Sequence, residues 1–424
     1  MHIVELASRD SASRRHFMRH AALFSLGVGL STNSLWAQAK APTPVNPKQA
    51  KALIYIFNRG GMSHLDTFDP KEGEALMGKT TAISTNVAGI RFGDKLEKLA
   101  KHADKMAVIN GMMSVQAEHE RGAYIMRTGY PRIGTISHPT IGPFAERLLG
   151  KPEGQILPAS VIVGEGTSNA GYLDPKFSPL PIADPSGGVP NSSLITETDR
   201  FDKRMKVAQK LGQEFVKKYD YDGPKSYVEY YDQATKLLRG TELAAFDLSG
   251  ESNRETYGMS RVGQGCLLAR RLVEHGVRVI EVINDGWDMH VGIDQGIGTK
   301  GTEFDQAFSA LLDDLKAKGL LDSTLVAVAT EFGRTPEINF NAGRDHHSIA
   351  YSAVLAGGGV KGGQVWGKSD KQGKKIIENK VAPEDWVATI GYGLGLNMDE
   401  TIYAPNGRPF TFADKGTPVT QLFG

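Results

Sequence analysis

The chain has 424 residues, 40% of them hydrophobic, with 49 basic and 48 acidic side chains and a net charge of +1. That balance excludes a protein drawn to nucleic acid by charge, and the length allows two or three domains or one large α/β sheet. The single cysteine, Cys266, excludes an intramolecular disulfide and a thiolate-rich metal centre. It falls in the apolar pattern of a predicted helix, so it reads as a buried structural thiol.

The first 39 residues read as an address. Ser13-Arg14-Arg15-His16-Phe17-Met18-Arg19 resembles a twin-arginine export motif. A short apolar run from Ala21 to Leu30 follows, then Ala37-Gln38-Ala39, a small-x-small cleavage pattern. The run is too short for a permanent membrane span. Cleavage before Lys40 removes four basic and two acidic residues and takes the net charge from +1 to -1. The expected product is a periplasmic or otherwise exported chain, 40–424, with no stable membrane span.

Leu53–Phe57 is a short apolar run, predicted to be a buried first strand. It breaks into Asn58-Arg59-Gly60-Gly61-Met62-Ser63-His64-Leu65-Asp66, where paired glycines allow a tight turn or a close approach. Lys95–Lys105 has helical spacing, and Met106–Asn110 reads as a second strand. Glu118, His119, Glu120 and Arg121 then precede a helical pattern, whose N-terminus would suit an anion. Pro139–Leu149 is a predicted helix and Pro158–Gly164 a strand. The stretch 166–191 is irregular, as a substrate-side insertion or lid would be. Across 200–250 the charged amphipathic stretches Arg200–Tyr219 and Pro224–Leu238 read as solvated packing helices. Tyr257–His275 (helix), Val277–Ile283 (strand), Gly301–Lys318 (helix) and Thr324–Thr330 (strand) alternate with short links, the pattern of parallel βαβ units. Ala350–Ala356 is a further strand and Asp385–Leu394 a late helix.

Three strands leave the sheet into similar chemistry. One exits at Ser63, His64 and Asp66, one at Asp285, Asp288 and His290, and one at Glu331 and Arg334, with Asp345, His346 and His347 close behind. A parallel sheet brings such exits to one edge. Imidazole and carboxylate without thiolate suit zinc, manganese or iron, and a carboxylate-rich set suits magnesium or calcium. Such an ion would polarise a phosphoryl or sulfuryl oxygen, and Arg334 or Arg344 would meet the anionic charge. The expected metal ligands are Asp285, Asp288, His290, Glu331, Asp345, His346 and His347. Ser63, as nucleophile, and His64, Asp66 or His119, as general base, complete the set with Arg121 and Arg334 as anion binders. No nucleotide cofactor is expected.

RGGMSHLDTFDPK, GWDMH, EFGRTP and GRDHH followed by LAGGGVKGGQVWG, together with the leader, resemble the domain-of-unknown-function 1501 family over essentially the whole mature chain. The resemblance implies an alkaline phosphatase/sulfatase-like fold: one α/β domain over 40–424 with a large central, mostly parallel sheet flanked by helices. It also implies a metal-dependent hydrolase of phosphate or sulfate esters, with a small-molecule or glycan ester as substrate and an exported protein as possible partner. The chain departs from the sulfatase pattern in three places. Asn58 and Arg59 stand where a metal-binding aspartate would end the first strand, Ala117 where the cysteine nucleophile would be, and Glu331-Phe332 where an Asp-His pair is usual. A formylglycine mechanism is therefore not expected. A rearranged site, or a non-catalytic protein binding a glycan or partner in the same cleft, remains.

Overall fold

The apolar run after Ala50 forms strand β1 (Ala52–Arg59). Ile54 and Ile56 enter one hydrophobic core, and Leu53, Tyr55 and Phe57 enter another on the opposite side of the sheet. Side chains alternate along a strand. With both faces covered, the positions from Ala52 to Phe57 are hydrophobic without a break. The computed structural model describes residues 46–166, 168–190, 192, 198–219 and 222–424; the leader read at 1–39 lies outside them.

Seven further strands complete the main sheet: β2 (Met106–Met112), β3 (Ser160–Val163), β4 (Leu180–Ile182), β5 (Val279–Asp285), β6 (Thr324–Ala329), β7 (Tyr351–Gly357) and β8 (Gln364–Trp366). Their order is β8-β2-β7-β6-β1-β5-β3-β4. Only β7 runs against its neighbours, β2 and β6. Besides a single turn at Arg254–Tyr257, the helices among the described residues are α1 (His119–Thr128), α2 (Ile141–Leu149), α3 (Thr198–Lys218), α4 (Asp222–Arg239), α5 (Arg261–Glu274), α6 (Ile293–Ala317) and α7 (Pro383–Gly393). Helices α5 and α6 cover one face through Leu267, Phe304 and Leu311, and α1, α2 and α7 cover the other through Met126, Phe144 and Trp386. The fold is thus mixed α/β, with a large, mostly parallel central sheet between helices. Cys266 is fully buried in α5, and burial pushes its thiol up to about 12, as expected of a structural residue.

Several elements differ from the sequence reading. The helical spacing before β2 yields a 3₁₀ segment, Leu99–Lys105, with the Asp305 carboxylate accepting from the Lys98 and Leu99 N–H groups at 3.0 and 2.7 Å. Helix α6 begins at Ile293, eight residues before Gly301. Two glycines in its first turns, Gly296 and Gly298, hide the period that marks the rest. The irregular stretch after Gly166 supplies β4, an edge strand beside β3.

The register levels three strand ends. Arg59 lies opposite Asp285, and Phe57 lies opposite both Ile283 and Ala329. The segments following β1, β5 and β6 therefore leave side by side. Because β7 is antiparallel, its beginning lies at that same edge, with Tyr351 opposite Met112 at the end of β2. The residues just before it, Asp345, His346 and His347, are delivered to the edge by the strand's direction.

Candidate metal centre

His119, Asp288 and His346 each present a ligand atom, and these atoms lie within 4.8 Å of one another. His290 joins them: its Nε2 is 3.0 Å from His346 Nε2 and 3.2 Å from Asp288 Oδ1. His119 stands at the first position of α1. Asp288 and His290 follow β5, and His346 pairs with Arg334 in a two-residue antiparallel ladder.

The outer nitrogen of each imidazole faces a group that can only accept. His119 Nδ1 is 2.6 Å from Glu331 Oε1, His290 Nδ1 is 2.9 Å from Asp345 Oδ1, and His346 Nδ1 is 2.8 Å from the Ala117 carbonyl. A proton must therefore sit on each Nδ1, which leaves each Nε2 of a neutral ring with a bare lone pair. These lone pairs converge on a carboxylate. His119 Nε2 lies 3.4 Å from Asp288 Oδ2, and His346 Nε2 lies 3.5 Å from Asp288 Oδ1. Acceptor against acceptor at such distances is repulsive unless a cation or a proton lies between them. Four ligands placed tetrahedrally at zinc bond lengths sit about 3.3 Å apart, and the four distances above run from 3.0 to 3.5 Å. The donor set and its tautomers fit a divalent metal.

Glu331 is fully buried and accepts from the Gly60 N–H at 2.8 Å and from the Thr330 hydroxyl at 3.2 Å, as well as from His119. It lies behind His119, not among the converging atoms. Its hydrogen bond raises the His119 pKa against the opposing effect of burial. Asp345 stands in the same relation to His290; hydrogen bonds from His290 and Asn339 hold it below the usual carboxylate range. Burial pulls the Asp288 carboxyl up, but the Arg334 guanidinium and the imidazoles outweigh that and hold it low. Burial is also the main reason His346 titrates lower than a free histidine. Imidazoles oriented from behind by carboxylates and carbonyls are the usual dress of a metal-binding histidine.

Two glycines permit this packing. A side chain at Gly60, where φ is +118°, would strike the Asp288 backbone nitrogen at 2.3 Å. A Cβ on Gly122 would come within 3.0 Å of Glu331 Cβ, so the glycine lets α1 bring His119 against that carboxylate. The close approach anticipated at Gly60-Gly61 is to the chain itself: the Trp287–Asp288 backbone at Gly60 and the Arg334 and Phe332 side chains at Gly61.

The other expected residues lie outside the converging group. His347 follows His346 on the ladder and so faces the other way, with Nε2 on the Lys374 carbonyl at 2.8 Å. His64 is buried, bonded through Nε2 to the Gly373 carbonyl at 2.8 Å, and burial pushes its pKa down to about 3. Asp66 accepts from Arg344 at 2.8 Å and from the Ser63 hydroxyl at 2.5 Å, so Ser63 is bound as a donor within a buried ion pair. Asp285 pairs with Arg59 across β1 and β5. Arg334 is buried, with Nε on the Gly61 carbonyl at 3.0 Å, Nη1 on the Arg344 carbonyl at 2.9 Å, and Nη2 on Asp288 and the Gly60 carbonyl. It positions Asp288 and is closed to a substrate anion. Arg121 is exposed on α1. The N–H groups of Glu120 and Arg121, anticipated as an anion site, are taken by the Glu118 carboxylate at 2.9 and 3.1 Å.

Sequence reasoning read His119 as a general base and did not set it beside Asp288, His290 and His346, where the structure brings it. The signal available was its imidazole at a helix start just after a strand exit. Beside the cluster lies a cleft of about 830 Å³, walled by Arg59, Arg127, Arg132, Tyr124 and His138. His119 belongs to both cluster and cleft.

Among solved structures, the chain is similar to the PsFucS1 sulfatase from Pseudoalteromonas sp., at 12% identity over 82% of this chain and 68% of that one, with a TM-score of 0.39. It is also similar to the alkaline phosphatase of the Antarctic bacterium TAB5, at 9% identity over 82% and 99% of the two chains, TM-score 0.37. A third is the C-terminal periplasmic domain of EcEptC from Escherichia coli in complex with Zn, at 8% identity over 84% and 86%, TM-score 0.41. No curated protein matches the chain. The family model described as "Protein of unknown function (DUF1501)" matches residues 50–423, and the chain belongs to that family.

Proposed function

We propose that the mature chain is an exported, metal-dependent hydrolase of phosphate or sulfate esters, centred on His119, Asp288, His290 and His346. The observation that carries this is the convergence of three bare imidazole nitrogens on one carboxylate. An imidazole-dominated set favours zinc, then manganese or iron, over magnesium or calcium. A divalent ion held there supplies Lewis acidity toward a phosphoryl or sulfuryl oxygen and lowers the pKa of water. Glu331, Asp345 and the Ala117 carbonyl hold the protons of the three rings on the outer nitrogens, and Arg334 keeps Asp288 ionised and in place. Because His119 borders the cleft, an ester group at the cluster would leave its alcohol portion, small molecule or glycan, between α1 and the 132–138 segment. The export reading rests on the leader pattern of residues 13–39.

One observation favours a rival reading. Ser63 is committed to Asp66, and Ala117 offers only its carbonyl, so the cluster itself contains no side-chain nucleophile among the described residues. A non-catalytic protein would use the same cleft for a glycan or an exported partner. Metal analysis of the purified protein separates the two. The hydrolase reading expects about one equivalent of a zinc-class metal, lost in His290→Ala and His346→Ala along with turnover of a panel of aryl phosphate and sulfate esters. Absence of both metal and turnover would leave the binding-protein reading, whereas metal and turnover unchanged in both variants would move the metal away from this cluster.

A further inference from the structure

Helix α3 has two faces of different character. Its inner face packs on α4: Gln209 donates to Asp232 at 2.9 Å, and Gly212 lies so close to Val228 that a Cβ would approach its methyl to 2.9 Å. Its outer face carries Val207, Leu211, Phe215 and, just beyond the helix, Tyr219, which are 59, 61, 52 and 41% exposed. These four recur every fourth residue and form one ridge along the helix. Scattered exposed apolar residues are ordinary; an aligned ridge of this length is not.

The surroundings of the ridge are basic. Within Thr198–Lys218 there are seven Lys or Arg residues against three Asp or Glu. Arg204 and Lys218 lie seven residues either side of Leu211, two helical turns away, and so share its face. Both are exposed. The Lys218 ammonium stands 5.3 Å from the Tyr219 ring centroid. On α4, Tyr227 and Tyr231 border the groove between the two helices, next to Ala208 and Gly212.

We propose that the outer face of α3 is a membrane-surface site whose ligand is an anionic phospholipid layer, with Leu211 and Phe215 entering the acyl boundary and Arg204 and Lys218 meeting headgroup phosphates. Apolar side chains flanked by cations, with tyrosines at the margin, are the composition of a helix lying in a bilayer interface. Charge complementarity selects this occupant over a second copy of the chain, since two α3 faces brought together would oppose their own cations. The contact is superficial: no helix among the described residues is long and apolar enough to cross a membrane. The proposal is independent of the metal centre.

The test is co-sedimentation of the full-length protein with vesicles of phosphatidylcholine alone or carrying a third of phosphatidylglycerol. Binding is expected with the anionic vesicles only, weakening as salt rises. It should fall about tenfold or more in Leu211→Glu and Phe215→Glu, and about as much in a combined Arg204→Glu, Lys218→Glu variant. Melting temperatures should be unchanged, because all four side chains are exposed. No sedimentation with anionic vesicles, or sedimentation indifferent to these substitutions, overturns the proposal. So does a concentration-dependent dimer abolished by Leu211→Glu, which would assign the ridge to a second copy.

Discussion

Two clusters of charge in this molecule are built on opposite logic. On the α5–α6 side, Arg270 is 1% exposed and reaches Glu251, Glu274 and Asp314. Arg271 also serves Glu251, at 2.6 Å, and Lys318 serves Glu274, at 2.8 Å. The Tyr257 hydroxyl and the Asn253 amide donate to Asp314 at 2.9 and 3.0 Å. Every carboxylate there meets a donor from the chain itself. At the strand-exit edge, the outer atoms of His119, His290 and His346 are equally well served, but the inner atoms face one another as acceptors. In the first network each carboxylate has its cation. In the second, Arg334 reaches Asp288 while the three Nε2 atoms turn toward that same carboxylate, and that difference, not the density of charge, separates a closed ion cluster from a candidate ligand site.

The sharpest way to break this contrast is to remove the hub of the closed network. Arg270→Ala leaves three carboxylates without their buried cation, and the expected cost is about 3–5 kcal/mol of stability. Metal content per folded molecule should not change. Urea unfolding beside metal analysis reads both. A variant that lost metal together with stability would show the two clusters to be one cooperative unit.

The next effect is smaller and lies behind the candidate cluster of His119, Asp288, His290 and His346. Glu331→Gln keeps the shape but offers His119 Nδ1 an amide in place of a carboxylate, so the ring loses basicity and orientation. Metal affinity is expected to fall about 10- to 100-fold, measured by competition with a chromogenic chelator. If Glu331 bound the ion directly, binding would be abolished, as in His346→Ala. An affinity equal to the wild type would show that the hydrogen bond does not tune the site.

These outcomes bear on what the sequence could convey. The buried strands were legible because both faces of the sheet are covered and most positions of β1, β5 and β6 are apolar, Glu281 in β5 being a buried exception held by Arg127. The direction of β7 was not, since an apolar run reads the same either way; yet that direction brings His346 to the edge. The motifs around Asp288, His290 and His346 pointed to the sheet edge at which these three side chains meet. They did not separate His346 from His347, which depends on ladder parity. Nor did they separate Glu331 and Asp345 from the converging atoms, which depends on which atom of each side chain faces inward. Residue type sets what a position can do, and only the packing of α1 against Glu331 through Gly122 decides that His119 is the residue that turns inward.

The smallest expected effect is a pH dependence confined to the closed network. Burial raises the Glu251 carboxyl, but hydrogen bonds from Arg270 and Arg271 outweigh it and leave its pKa below the ordinary value; Glu274 behaves alike through Lys318 and Arg270. A carboxylate with a depressed folded-state pKa binds fewer protons folded than unfolded. Its contribution to stability is therefore complete above the unfolded value, about 4.3 for glutamate, and disappears as pH falls through the folded one. Stability from urea unfolding should be flat with respect to this residue near neutral pH and decline below about pH 4.3. In Glu251→Gln the decline should be shallower by up to about one proton, whereas near neutrality the variant should show a constant deficit. A variant whose acid limb overlays the wild type would mean that Arg270 and Arg271 hold Glu251 no better than water does. The closed network would then owe its stability to Glu274 and Asp314 alone.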